Sequence, residues 1–327
     1  MEQRRLGKTG RSVSVIGFGA WAIGGDWGRR DDTAALRALH AAADAGVNLI
    51  DTADVYGDGH SEQLIGRFLR ERRGETFFVA TKMGRRVPQL PENYRPEAFR
   101  EWNDRSRENL GVDTLDLVQL HCPPTQVYYT PEVFAALDEM VSEGRIRSYG
   151  VSVEKVEEAL KAIEYPGVAS VQVIFNMFRQ RPAERLLAEA VRRDVGVLAR
   201  VPLASGLLTG KLRRDTAFDA SDHRSFNRHG ESFDVGETFA GVDYETGLEV
   251  VDELRALVPQ GGTLAQLALR WILMNEGVTA TIPGAKSVEQ ATANAAAADL
   301  EPLPPATMER VRELYDARIR PLVHQRW

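Results

Sequence analysis

Val47-Asn48-Leu49-Ile50-Asp51-Thr52-Ala53-Asp54-Val55-Tyr56-Gly57 is a short apolar run that ends on a carboxylate and breaks into a turn. A run of this length, rich in branched side chains and bounded by turn residues, reads as a strand covered on both faces. The pattern recurs. Val13–Gly19, Val47–Asp51, Phe77–Lys82, Leu115–His121, Ile146–Ser152, Val168–Phe175, Val195–Val201 and Val278–Pro283 make eight such runs, with amphipathic stretches between them. Asp31 or Asp32 caps a helix running to Gly46, and Ser61 precedes Leu64, Ile65, Phe68 and Leu69 on one helical face. Thr130-Pro131 opens a helix that Gly144 closes, and Pro182 opens another with Leu186, Leu187, Ala190 and Val191 on its apolar side.

Eight strand–helix units in 327 residues predict an α/β fold of the (β/α)8 TIM-barrel type, one domain spanning residues 1–327. An open doubly wound sheet would place a glycine-rich turn after its first strand. Gly17-Phe18-Gly19-Ala20 meets only the relaxed form of that turn, with Ala22 in the last position. Two additions to the barrel are expected. Arg4–Leu6, the turn Gly7-Lys8-Thr9-Gly10 and Ser12–Val15 read as an N-terminal β-hairpin, and Leu203–Tyr244 is a long polar segment after the seventh strand.

Hydrophobic residues make up 43% and charged residues 27%, as in ordinary globular proteins. A net charge of -6 offers no basic field for nucleic acid or an anionic membrane. The single cysteine, Cys122, excludes an internal disulfide and fits a reducing, cytoplasmic setting. Met1-Glu2-Gln3-Arg4-Arg5 is not followed by a signal-type apolar stretch, and Val13–Gly25 is shorter than the roughly 20 residues that span a bilayer. No metal-ligand set is read, and the oligomeric state stays open.

In a barrel of this kind the C-terminal strand ends face the active site. Here those ends carry Asp51, Lys82, His121 and Gln172, with Ser152 on the fifth strand, and Tyr56 lies on the loop after Asp51. A tyrosine, with a reference pKa near ~10, is a poor acid at neutral pH unless its anion is stabilised. A lysine beside it stabilises that anion, a carboxylate holds the lysine, and an imidazole bonds the incoming oxygen. Such a group suits protonation of the alkoxide that forms when hydride adds to a carbonyl. Taken singly, each residue has a plainer reading: Asp51 and Lys82 as a structural ion pair, His121 as a core histidine. The joint spacing favours chemistry.

Several stretches resemble the aldo-keto reductase family, in the family's order and over essentially the whole chain. They are Gly17–Trp21, Asp51–Gly57, Ala80–Lys82, Asp116–His121, Gly150–Ser152, Pro202–Lys211 and Ile282–Lys286. The resemblance implies a catalytic tetrad of Asp51, Tyr56, Lys82 and His121, and a nicotinamide cofactor across the barrel mouth. It implies that Ser152 and Gln172 hold the carboxamide, that Leu203, Ser205, Gly206, Leu208, Gly210 and Lys211 line the pyrophosphate, and that Gly284, Lys286, Gln290 and Asn294 surround the adenosine. A helix starting near Ser287 offers free N–H groups, and Lys286 adds a cation for a 2′-phosphate.

The chain departs from the family pattern at three places. Val153 stands where many members have asparagine, Arg200 where many stack a tyrosine on the nicotinamide, and Gln290 where some place an arginine for the 2′-phosphate. A guanidinium also stacks on a flat ring. NADPH is therefore the expected cofactor, with NADH possible. Trp21, Trp27, Met83 and Tyr128 or Tyr129 are expected to wall a substrate pocket, and the terminal Trp327 to dock on the barrel. The implied function is reduction of an aldehyde, sugar or ketone. The alternative is a cofactor-sensing regulatory subunit resembling potassium-channel β subunits.

Overall fold

The computed structural model describes residues 1–327 apart from 26, 29 and 30. Among the described residues, the chain opens with a hairpin, β1 (Gln3–Arg5) against β2 (Ser12–Ser14). Eight parallel strands follow: β3 (Phe18–Gly19), β4 (Leu49–Asp51), β5 (Phe78–Met83), β6 (Leu115–His121), β7 (Ile146–Ser152), β8 (Val168–Ile174), β9 (Gly196–Arg200) and β10 (Ala280–Thr281). Each pairs with its sequence neighbour. Parallel bridges from Ile16 to Thr281 and from Gly19 to Gly284 bring the first strand against the last and close the barrel. The expected eight runs thus become the eight strands. The first run divides between the hairpin and β3.

The helices are α1 (Trp21–Gly24), α2 (Asp32–Asp44), α3 (His60–Glu71), α4 (Pro96–Leu110), α5 (Pro131–Ser142), α6 (Val156–Ala162), α7 (Leu186–Arg192), α8 (His223–Phe226), α9 (Tyr244–Arg255), α10 (Leu264–Leu273), α11 (Val288–Ala296), α12 (Pro305–Leu314) and α13 (Arg320–Val323). Asp31 caps α2, accepting from the Ala34 N–H. Ser61 does not cap α3. That helix starts from Gly59, and the Ser61 hydroxyl instead bonds Thr52 and the Ala20 carbonyl at the barrel rim. Val191 is 52% exposed, so the apolar side of α7 is narrower than its sequence suggests. None of these helices is long and apolar enough to cross a membrane.

Alternation along the strands sorts the interior from the helix-facing layer. The floor of the barrel is apolar, built from Leu49, Phe78, Ala80, Leu117, Leu198 and Ala280. The hairpin plugs it with Leu6 and Val13. Gly7, at φ 46, turns where any Cβ would fall 2.3 Å from the Gly196 nitrogen, so only glycine fits. Above the floor the interior is polar. The Gln119 amide donates to Ser170 Oγ at 3.0 Å, and Gln172 Nε2 donates to Gln119 Oε1 at 3.0 Å.

Candidate active site

Lys82, at the end of β5, donates from Nζ to Asp51 Oδ1 at 2.6 Å and to the Thr52 carbonyl at 2.7 Å. Its third contact is Tyr56 Oη at 3.4 Å. Gln172 Nε2 donates to the other carboxylate oxygen of Asp51 at 2.7 Å. His121 stands across from the tyrosine, the two rings nearly perpendicular with centroids 5.8 Å apart. The four residues read from the strand ends and the β4 loop are therefore together.

Burial opposes the Lys82 charge, but Asp51 and Tyr56 outweigh it and hold the ammonium above the ordinary lysine range. Burial also pushes the Tyr56 phenol up, and the downward pull of Lys82 offsets only part of this. The expected direction is thus reversed: Lys82 acts as foreseen, but desolvation exceeds it. Burial, reinforced by the charges of Arg85, Lys82 and Arg200, carries His121 well below the usual histidine range, so its imidazole is neutral. Its buried Nδ1 has no hydrogen-bond partner among the described residues.

The Tyr56 loop is held by close backbone approach. Gly57 has φ 62, and a Cβ there would lie 2.1 Å from the Gly24 carbonyl oxygen. The Trp21 ring of α1 stacks on Tyr56 at 6.0 Å. Beyond β9, Val201, Ala204 and Ser205 all take positive φ. That is unusual for non-glycine residues and most of all for a β-branched one, and such strain gathers at ligand sites.

A cavity of about 1020 Å³ runs over the mouth from Tyr56 and His121 to Gln290 and Asn294. Small-molecule sites commonly measure roughly 300–1,000 Å³. This cavity therefore has room for more than a small carbonyl compound. Gln172, Arg200, Leu203, Ser205, Gly206, Lys211, Gly284, Lys286, Gln290 and Asn294 line it, as do Trp21 and Trp27. Ser152 and Leu208 are fully buried and do not line it. Gly210 packs toward Arg255 and Leu264. Met83 does not face the cavity. It lies one residue past Lys82, so strand alternation turns it outward into the helix-facing core. Tyr128 is sealed in the core, and Tyr129 is exposed and does not line the cavity.

At the far end, Lys286 Nζ donates to the Trp27 carbonyl, and burial lowers its pKa. The Lys286 N–H is held by Gln290 Oε1 at 2.8 Å, and Asn294 Nδ2 donates to the Gly284 carbonyl at 3.2 Å. Ser287 caps α11 as its sequence suggests.

Sequence reading missed a second ionic group at the mouth. Arg85 pairs with Glu154 at 2.8 Å and with Glu237 at 3.2 Å, while Glu237 also pairs with Arg200 at 2.6 Å. Arg200 further donates from Nη2 to the Val153 carbonyl at 3.0 Å, and its Nε has no partner among the described residues. Glu237 comes from the long segment after β9, which also sets His223 and Phe233 against Trp21. Trp327 fastens that segment. Its ring packs under Gly241 and beneath the Arg179 guanidinium, and Nε1 donates to Asp234 Oδ1 at 3.3 Å. Trp327→Phe removes this bond and the outer indole ring that packs on Gly241. A loss of about 2–3 kcal/mol is expected, read as a lower urea midpoint with an unchanged slope.

A profile of the Aldo/keto reductase family matches residues 15–316. The chain belongs to that family. This aldo/keto reductase is 30% identical to an NADH-specific methylglyoxal reductase of Escherichia coli, covering 97% of this chain and 99% of the relative. It is similar in structure to an aldo-keto reductase from Bacillus halodurans in its holo form, with TM-score 0.77, 27% identity and 96% of each chain covered. An aldo/keto reductase from Klebsiella pneumoniae in complex with NADP and acetate matches with TM-score 0.70 and 26% identity, over 96% of this chain and 95% of that one.

Proposed function

We propose that this aldo/keto reductase is an NADPH-dependent oxidoreductase that reduces an aldehyde, sugar or ketone carbonyl, with Tyr56 as general acid. The observation that carries the reading is the Asp51–Lys82–Tyr56 chain facing neutral His121 at one end of a cavity large enough for a dinucleotide. When bound, the dihydronicotinamide supplies the hydride. Tyr56 Oη gives its proton to the carbonyl oxygen as the alkoxide charge develops, and the Lys82 ammonium stabilises the phenolate left behind. Neutral His121 offers a hydrogen bond that orients the carbonyl. Asp51, held by Gln172, keeps Lys82 charged and in place.

The donors in the rest of the cavity suit the cofactor. Lys211 and Lys286 line the cavity and would supply cations for phosphate groups, and Arg200 Nε, which has no partner among the described residues, would suit a polar ring substituent. We read residues 1–327 as one barrel domain. A cytoplasmic setting fits the single cysteine.

The first test follows NADPH absorbance with a panel of aldehydes, beside a parallel NADH series. Cofactor-dependent loss of absorbance supports the reading. Tight cofactor binding with no turnover on any carbonyl compound sinks it. Lys286 carries the expected preference for the 2′-phosphate. Lys286→Ala should weaken NADPH binding about tenfold and leave NADH unchanged, as measured by quenching of protein fluorescence.

A further inference from the structure

The Arg85 guanidinium sits at the tyrosine end of the cavity, where a bare arginine would be the natural clamp for a carboxylate. In this chain both terminal nitrogens of Arg85 are already taken. Nη1 is held by Glu237 and Nη2 by Glu154. The two carboxylates differ in their attachments. Glu237 is also tied to Arg200 and is almost fully buried. Glu154 has no ion pair besides Arg85 among the described residues, and its side chain is 31% exposed. Asp234 adds a third carboxylate to the cavity wall. An anionic substrate arriving here would meet three carboxylates, Arg85 with both terminal nitrogens engaged, and Arg200 already tied to Glu237.

We propose that Glu154 is a specificity-determining residue: by masking Arg85, it confines the tyrosine end of the cavity to carbonyl compounds that carry no carboxylate. This rests on reading that end of the cavity as the carbonyl pocket. The groups facing Glu154 are Arg85 from the β5 end, Arg200 from β9, Asp234 and Glu237 from the long segment, and the Cys122 thiol after β6. Burial, with Asp234 and Glu237 adding repulsion that Arg85 and Arg200 only partly offset, pushes the Glu154 carboxyl up to about 7. The mask is therefore charged above neutral pH. Below neutral pH it takes up a proton and leaves Arg85 with charge to spare.

The test compares kcat/KM for succinic semialdehyde and butyraldehyde, four-carbon aldehydes that differ in the terminal carboxylate. It uses the enzyme with saturating cofactor at low ionic strength. Wild type should favour butyraldehyde. In Glu154→Gln, whose amide oxygen still reaches Arg85 without charge, the relative kcat/KM for succinic semialdehyde should rise about tenfold or more. The gain should sit in KM. Adding Arg85→Met to the same chain should abolish it, which shows that the guanidinium, no longer neutralised by residue 154, is the anion's partner. In wild type the same ratio should climb as pH falls from 8 to 6, and in Glu154→Gln it should stay flat.

A parallel change for both aldehydes in Glu154→Gln overturns the mask and leaves the pocket reading standing. Wild-type preference for succinic semialdehyde overturns it as well. Should neither KM respond to Glu154→Gln or to Arg85→Met, both the mask and the placement of the carbonyl pocket fail together.

Discussion

Tyr56→Phe is expected to lower kcat for aldehyde reduction by about 10²–10⁴-fold, the usual worth of a positioned general acid, while cofactor affinity stays unchanged. The ring that stacks on Trp21 is retained, so the packing of the loop survives and only the hydroxyl is lost. That hydroxyl is the group 3.4 Å from Lys82 Nζ, and its loss leaves no proton donor beside the carbonyl except neutral His121. Equal falls in kcat and kcat/KM would mark an interaction made only in the transition state. Undiminished turnover would remove Tyr56 from the chemistry altogether. Because burial holds the phenol above its ordinary pKa, the acid form is fully present through neutral pH. The wild-type reduction rate should thus decline only toward alkaline pH.

Lys82→Met should be strongly destabilising. It removes the partner of a carboxylate that is 3% exposed, leaving Asp51 with only the Gln172 amide. Breaking one side of a buried ion pair costs about 3–5 kcal/mol. A second substitution, Asp51→Asn, should recover much of the loss, because the stranded charge disappears with it. Activity should not return in the double variant, since nothing then stabilises the Tyr56 phenolate. Urea titrations of the three variants check the first part, and initial rates check the second. Full stability of Lys82→Met would show that Asp51 takes up a proton once its partner is gone.

The strands, and with them the grouping of Asp51, Tyr56, Lys82 and His121, were legible because a barrel strand has a fixed period and a fixed functional end. Asp51, Lys82 and His121 close apolar runs and Gln172 lies near the end of another, and parallel pairing brings them to one rim. The same period explains the failure at Met83, one residue beyond an inward lysine and therefore outward. The Arg85–Glu237–Arg200 group had no comparable signal. Arg85 and Glu237 are 152 positions apart, and Glu237 lies in an irregular segment where no periodicity links a residue to a direction. Ser61 carried no better signal of its partners. A serine before an apolar helical face resembles a cap, but the rim of the barrel offered its hydroxyl two better partners. The pKa of Tyr56 was misjudged because sequence shows neighbours but not how completely they exclude water.

The N-terminal plug has a consequence for how the chain is made. Arg4 donates from its guanidinium to the carbonyls of Leu273 and Val278, and the Lys8 N–H to the carbonyl of Asp194. The hairpin thus leaves the ribosome well before Leu273 and Val278, and these contacts wait for them. During that interval Leu6 and Val13 have no floor to fill, and the edges of β3 and β10 have no mate. Pairings this distant in sequence form slowly, and open parallel edges invite association between chains. Aggregation during synthesis or refolding should therefore be governed by how fast the two ends of the barrel meet. A circular permutant that joins residue 327 to residue 1 and opens the chain elsewhere would shorten that wait.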